Sequence, residues 1–237
     1  KVADEAIAKA AKMVANAEQV SQSVTGAATA LRSSAAFHDN VVTSMLKRVA
    51  SETGTSMTGL EYRIKSQKSL ERKIISDAGK FLADISGSKQ QIMLYNTTAA
   101  EVKDVLRYTI LIDEAEFKTA YDAVISALES EGYTVVRVKN TFGARGAYRG
   151  VNTNAVTPDG YIFELQFHTE RSFYVKEFQT HPLYEEQRKL PKDSPRWQEL
   201  QDQMGEMFDA IPMPEGALEI PSFDRESEVA WTNRSTM

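Results

Sequence analysis

Residues 145–169 read RGAYRGVNTNAVTPDGYIFELQFHT, and this stretch decides the fold. Pro158-Asp159-Gly160 is a strong turn signal. Tyr148–Val156 before it alternates loosely; Tyr161–His168 after it alternates strictly. Period 2 places Tyr161, Phe163, Leu165 and Phe167 on one face, and Ile162, Glu164, Gln166 and His168 on the other. The first face is wholly apolar and suits a core. The second carries acid, amide and imidazole, and asks for a chemical explanation.

Working outward, Leu106–Asp113 reads as a buried strand, Glu114–Glu131 as a helix ended by Gly132, and Tyr133–Val138 as another strand. Between this strand and Tyr148 lies a turn region, 139–146, with two glycines and two cations. Thr169–Thr180 is expected to be helical, with a break at Pro182. Ser194 can cap a helix over Ser194–Ala210, with Pro195 in its first turn. Upstream, an Ala-rich helix fills residues 1–36, with Ile7, Ala10, Met13, Val14 and Ala17 along one weakly apolar face. A second helix is expected over Phe37–Thr53, broken by Gly54 and Gly59. A third follows over Ser66–Gly79, capped by Ser66 or Ser69, and a short one opens at Thr97 or Thr98. Residues 211–237, with Pro212, Pro214 and Pro221, read as an extended or mobile tail. The order β-α-β-β-β-α predicts an α+β fold: a mixed, mostly antiparallel sheet flanked by helices. Three regions are expected: N-terminal helices over 1–57, a central domain over 58–210, and the tail.

Composition narrows the function classes. The 237 residues carry a net charge of −5, which disfavours a general nucleic-acid coat but not a local anion pocket. No cysteine is present, so disulfides, thiolate metal sites and cysteine nucleophiles are excluded. No apolar run is long enough to span a membrane, and no signal-peptide pattern follows Lys1. Lys1 in place of Met leads us to expect a piece of a longer chain.

Four clusters could carry chemistry. In residues 63–73, Arg63, Lys65, Lys68, Arg72 and Lys73 surround Ser66 and Ser69. Ser69 and Lys73 share a helix face. This suits a polyphosphate cradle, and on charge alone it suits a solvated basic face too. Asp104 and Arg107 flank the entry to the first strand, where a carboxylate can hold Mg²⁺ and a guanidinium can neutralise a phosphoryl group. Arg145, Tyr148 and Arg149 pair planar phosphate forks with a ring able to stack on a base. Glu164 could bind Mg²⁺ or take a proton, with Gln166 and His168 on its face. Three histidines are too few for a His-rich metal site.

Taken in this order, the four segments resemble the RelA/SpoT synthetase family over residues 58–190. That family binds ATP with an R-x-K-x-x-x-S-x-x-x-K helix, matched by Arg63, Lys65, Ser69 and Lys73. Its catalytic aspartate matches Asp104. Its G-Y-R-S-x-H segment looks like Ala147–Asn152, and its E-I-Q-I-R-T strand matches Glu164-Leu-Gln-Phe-His-Thr169. Three departures stand out. The D-I-x-G-I-R pattern becomes Asp104-Val-Leu-Arg-Tyr-Thr109, which shifts Arg107. The histidine after the tyrosine becomes Asn152, and the arginine of the last motif becomes His168.

The resemblance implies a nucleotidyltransferase-like synthetase fold and Mg²⁺-dependent transfer of pyrophosphate from ATP to the ribose 3′-hydroxyl of an acceptor nucleotide. It implies Asp104, Glu164 and Arg107 as catalytic residues, with the metal on Asp104 and Glu164. Arg63, Lys65, Ser69 and Lys73 would bind ATP. Arg145, Tyr148, Arg149, Asn152, Gln166 and His168 would face the acceptor. The acceptor is expected to be GDP or GTP, giving ppGpp-type alarmones, or ADP or ATP, giving ppApp-type products. Pyrophosphorylation of the tRNA 3′ end is an alternative, and so is a non-catalytic nucleotide-binding module. Transfer of AMP to a protein would call for a Gly-Ser followed by paired Asp-x-Asp carboxylates, and no Asp-x-Asp is present. The chain also resembles the C-terminal toxin module of a secreted or phage-borne toxin, acting in the bacterial cytoplasm. An immunity protein is then an expected partner.

Overall fold

The strand alternation of the sequence is realised in a six-stranded sheet ordered β1-β2-β5-β4-β3-β6. The strands are β1 (Ser56–Thr58), β2 (Arg107–Leu111), β3 (Thr134–Asn140), β4 (Val151–Val156), β5 (Ile162–His168) and β6 (Phe223–Asp224). Every neighbouring pair is antiparallel except β2 with β5, which run parallel. The expected α+β class, with a mixed and mostly antiparallel sheet, is thus the observed one. A computed structural model describes residues 2–231 apart from Ser86, Arg145 and Ala147, and only the backbone of residues 2–7 and Asp84.

The chain divides into two compact units. Among the described residues, one takes those up to 40 and 62–106; the other takes 41–61 and 107–231. A single helix, α1 (Val2–Glu52), runs through both. This corrects the expected division near Phe37. The Ser-Ser-Ala-Ala before Phe37 is compatible with helix, and no glycine or proline interrupts α1 between Gly26 and Gly54.

In the first unit, Val24, Ala28, Leu31 and Ala35 form the buried stripe of α1, spaced four, three and four apart. Helix α2 (Gln67–Gly79) buries Leu70, Ile74 and Ala78, and α3 (Ser88–Ala100) buries Tyr95 and Ala99. The helix that was expected to open at Thr97 or Thr98 therefore begins nine or ten residues earlier and ends there instead. Gln67 Nε2 donates to Thr25 O at 3.1 Å, and Ser23 Oγ donates to Asn96 Oδ1 at 3.2 Å, tying both helices to α1.

In the second unit, α4 (Phe117–Ser130) lays Phe117, Tyr121, Val124 and Leu128 against the apolar face of the sheet. Phe163, Leu165 and Phe167 are fully buried there, and Tyr121 meets Phe167 edge-on with ring centres 4.8 Å apart. After β5 come α5 (Glu170–Tyr174), a π-helical turn (Val175–Thr180) and α6 (His181–Gln187). Thr169 and Ser172 cap α5 reciprocally. Pro182 falls in the first turn of α6, where its missing N–H costs little, so the expected break there becomes a π-turn followed by a fresh helix. Ser194 accepts from Trp197 N and caps α7 (Pro195–Asp209).

The tail is more ordered than its prolines imply. Up to residue 231 it supplies β6 on the edge of β3, and Val229 and Trp231 pack on the cluster Val136, Val156 and Ile162. Hydrophobic anchors spaced through a proline-rich segment can hold it without helix or long strand. Among the described residues no helix is long and apolar enough to cross a membrane.

Candidate functional site

The first unit gathers the cationic cluster at the start of α2. Ser66 sits in extended conformation as the N-cap, and its side chain accepts from Ser69 N at 3.3 Å. Lys65 N donates to Val105 O at 2.9 Å, which fixes the segment beside Asp104. Lys65 Nζ then reaches Asp104 Oδ2 at 2.5 Å, and Lys73 Nζ stands 3.9 Å from Oδ1. Lys73 is also 3.5 Å from Asp77. Ser69 Oγ accepts from Arg72 Nη2 at 3.3 Å. Lys65, Ser69, Lys73 and Asp104 are thus brought together around the entry to α2, where backbone N–H groups and lysines favour anions. Arg63 makes a two-pronged contact with buried Asp39, Nε to Oδ1 at 2.6 Å and Nη2 to Oδ2 at 2.7 Å. This partner was not foreseen, because residues 24 apart reveal nothing of their contact in sequence.

The second unit carries a polar row across the non-core face of the sheet. Register sets Arg107 beside Glu164, Glu164 beside Asn154, and Asn154 beside Arg137. The next row pairs Thr109, Gln166, Asn152 and Lys139 in the same way. Asn154 and Thr109 are buried members that the sequence reading missed. The alternation of β4 would have found Asn154, whereas Thr109 depends on parallel pairing. Gln166 Nε2 donates to Glu164 Oε1 at 2.7 Å, and Lys176 Nζ donates to Gln166 Oε1 at 3.0 Å.

Tyr148 lies in a hydrogen-bonded chain. Its Oη donates to Asn152 Oδ1 at 2.6 Å and stands 2.9 Å from His168 Nε2. His168 Nδ1 lies 2.9 Å from Ser172 Oγ. With the phenolic hydrogen on Asn152, His168 must donate from Nε2, and Nδ1 accepts from Ser172. Burial, then Lys176 and Arg107, hold His168 well below the ordinary imidazole range, so it stays neutral. Burial, and next the Glu164 carboxylate, push the Tyr148 phenol far above its usual value; Arg107 and the bond to Asn152 pull weakly the other way. Asn152 and His168, two of the three departures from the RelA/SpoT pattern, therefore grip one hydroxyl.

Gly150 belongs to the same arrangement. A Cβ there would fall 2.7 Å from His168 Cε1 and 2.9 Å from Tyr148 Oη. We expect Gly150→Ala to displace both rings and destabilise by about 1–3 kcal/mol, the usual cost of overpacking. Chemical denaturation checks this; an unchanged midpoint would contradict the packing described. The tyrosines make a second prediction. Tyr121 is raised to about 12, and Tyr133, Tyr148 and Tyr161 are raised as well, all chiefly by burial. A raised folded value means stability present below the unfolded value near pH 10 and lost as pH climbs through the folded values. Absorbance near 295 nm should show these four ionising only with cooperative alkaline unfolding. Smooth titration of all nine tyrosines near pH 10 in the native protein would refute it.

Arg149 donates to Gly146 O at 3.0 Å and pairs with Asp209 at 2.5 Å. A pocket of about 110 Å³ lies there between Phe142, Phe208 and Pro212. That is small against the roughly 300–1,000 Å³ usual for ligand sites. Arg145 lies outside the described residues. Among the described residues no three His, Asp or Glu side chains gather to hold a metal ion.

These elements define an α+β fold: a mixed, mostly antiparallel sheet with a polar row on one face. Among solved structures, the chain is similar to a chain of the crystal structure of the complex between the Type VI effector Tas1 and its immunity protein. The TM-score is 0.51 at 21% identity, covering 76% of this chain and 93% of that one. A GTP pyrophosphokinase family protein from Streptococcus pneumoniae aligns at TM-score 0.36 and 12% identity, over 65% of this chain and 67% of that one, too distant to bear on the argument. No protein-family model and no curated protein matches the sequence.

Proposed function

We propose that this chain is a pyrophosphokinase that moves the β,γ-pyrophosphate of ATP to a ribose 3′-hydroxyl, and that it acts as a growth-inhibiting toxin. The observation that carries the reading is Glu164. It is a partly exposed carboxylate on a strand whose other face is core, with Arg107 beside it and Gln166 donating to it. An acid so held can accept a proton from a hydroxyl, while the guanidinium meets developing negative charge.

In the proposed step the acceptor 3′-oxygen attacks the β-phosphorus of ATP. The bond from that phosphorus to the α,β-bridging oxygen breaks, and AMP leaves. The hydroxyl proton passes to Glu164. Lys65, Lys73 and the start of α2 hold the ATP phosphates, with Ser69 as a further donor. Arg63, braced by Asp39, adds charge nearby in that unit. Tyr148, Arg149, Asn152 and His168 face the acceptor, with Arg145 assigned there by the motif alone. Such transfers gain mostly from positioning and charge stabilisation, which suits this cation-rich set.

Mg²⁺ fits as a cation brought by the nucleotide. It commonly takes one or two protein carboxylates with phosphate oxygens, and Asp104 is a carboxylate flanked by Lys65 and Lys73. Asp104 would hold it. When bound, it would neutralise charge on the ATP phosphates. The likeness to an effector solved with its immunity protein supports delivery into a bacterial cytoplasm and a dedicated immunity partner.

The test is to incubate the protein with ATP labelled in its terminal phosphates and, separately, GDP, GTP, ADP, ATP, AMP and tRNA. The reading requires equal amounts of AMP and labelled 3′-pyrophosphate product with at least one acceptor. A product on tRNA alone moves the acceptor to RNA. Binding of ATP without AMP release, or label released as free phosphate, would sink the proposal.

A further inference from the structure

Lys176 is a partly buried charge that the step above does not use. It sits on the π-helical turn Val175–Thr180, a rare backbone form that recurs at functional sites. Its ammonium lies 5.4 Å from the centre of the Phe173 ring and donates to Gln166 Oε1. Gln166 is itself buried and donates its amide nitrogen to Glu164. A protonated lysine offers donors only. Gln166 must therefore turn its oxygen to Lys176 and its nitrogen to Glu164.

We propose that Lys176 is a positioning residue: it locks the orientation of the Gln166 amide and thereby holds the Glu164 carboxylate aimed at the acceptor hydroxyl. The proposal rests on the reading of Glu164 as proton acceptor. The reason is geometric. An amide presents a donor from one end and an acceptor from the other. Without a donor-only neighbour it can turn over, and its oxygen would then face the carboxylate as one acceptor against another. Outer hydrogen-bond partners of reacting groups commonly act this way.

The charges facing Lys176 are Arg107 on β2, Glu164 on β5 and Glu177 on its own turn, 3.7 Å away. His168, its other neighbour on β5, is neutral. Burial first, and Arg107 second, bring Lys176 down to about 8, with Glu177 and Glu164 opposing. Below that pH the lysine is charged and the lock holds. Above it the neutral amine can accept, and the lock is lost.

The experiment measures kcat and acceptor KM by AMP release for the wild-type chain, Lys176→Met and Lys176→Arg, from about pH 6 to about pH 10. Lys176→Met should lose about 10- to 100-fold in kcat with KM little changed. Lys176→Arg, also a donor only but not titrating in this range, should restore the rate and abolish the alkaline fall. Wild-type rates in Lys176→Met, failure of arginine to rescue, or an alkaline limb unmoved by arginine would each overturn the proposal. If Lys176→Met does not fold by circular dichroism, the limb in wild type against Lys176→Arg decides. If the wild-type chain releases no AMP, the functional reading fails, yet the lock stays testable. NMR of the Gln166 side-chain amide should then shift near pH 8 in the wild type and not in Lys176→Arg. A shift in both or in neither overturns it.

Discussion

Glu164→Gln leaves a folded protein that has lost AMP release by about 10²- to 10⁴-fold, the range expected for removing a positioned base. The substitution is nearly isosteric, and Glu164 is not part of the apolar core, so thermal unfolding should hardly move. What changes is charge. A neutral amide cannot take a proton from the acceptor, and it meets the Gln166 nitrogen with one donor end of its own. Asp104→Ala makes a companion case in the other unit. It frees Lys65 and Lys73 from their shared carboxylate and removes the candidate Mg²⁺ ligand. Product should vanish there too, with ATP binding retained through the lysines. Wild-type turnover in either purified variant would refute the roles given to these two acids.

The second large effect is on stability. Phe163→Ala should cost about 3–5 kcal/mol, as large-to-small changes in close-packed cores do. Phe163 is fully buried on β5, with Tyr108 and Tyr133 edge-on at 6.2 and 6.0 Å. Those rings rest on the sheet and cannot collapse into the space without dragging strands. Against a typical total of roughly 5–15 kcal/mol the loss is large. Denaturant midpoints measure it. Phe178→Ala, at a site 64% exposed, is the control and should stay within about 0.5 kcal/mol. A small change at Phe163 would mean that β5 is not the centre of the core.

Local pattern made much of this molecule legible. The alternation in Tyr161–His168 specifies both the buried face and the chemical face, because side chains in a strand must point opposite ways. Ser66 and Ser194 mark helix starts because a serine oxygen satisfies an otherwise orphaned amide. Elsewhere the local signal ran out. A change of composition near Phe37 looked like a helix boundary, yet nothing in the chemistry there stops a helix, and α1 continues. The prolines after residue 211 looked like a loose tail, yet Val229 and Trp231 find the cluster on the sheet.

Sequence by itself determined the α+β class, the strands β2 to β5, the apolar face of β5 and the identity of the candidate acids and cations. These follow from period, capping and side-chain chemistry, which act within a few residues. Tertiary structure alone decided which distant residues meet. Parallel pairing of β2 with β5 set Arg107 beside Glu164, chain reversal through the π-turn brought Lys176 to Gln166, and Asp39 found Arg63. It also joined Gly150 and the departures Asn152 and His168 around one tyrosine hydroxyl. Such contacts depend on register and on packing between segments remote in the chain, and no local period encodes them.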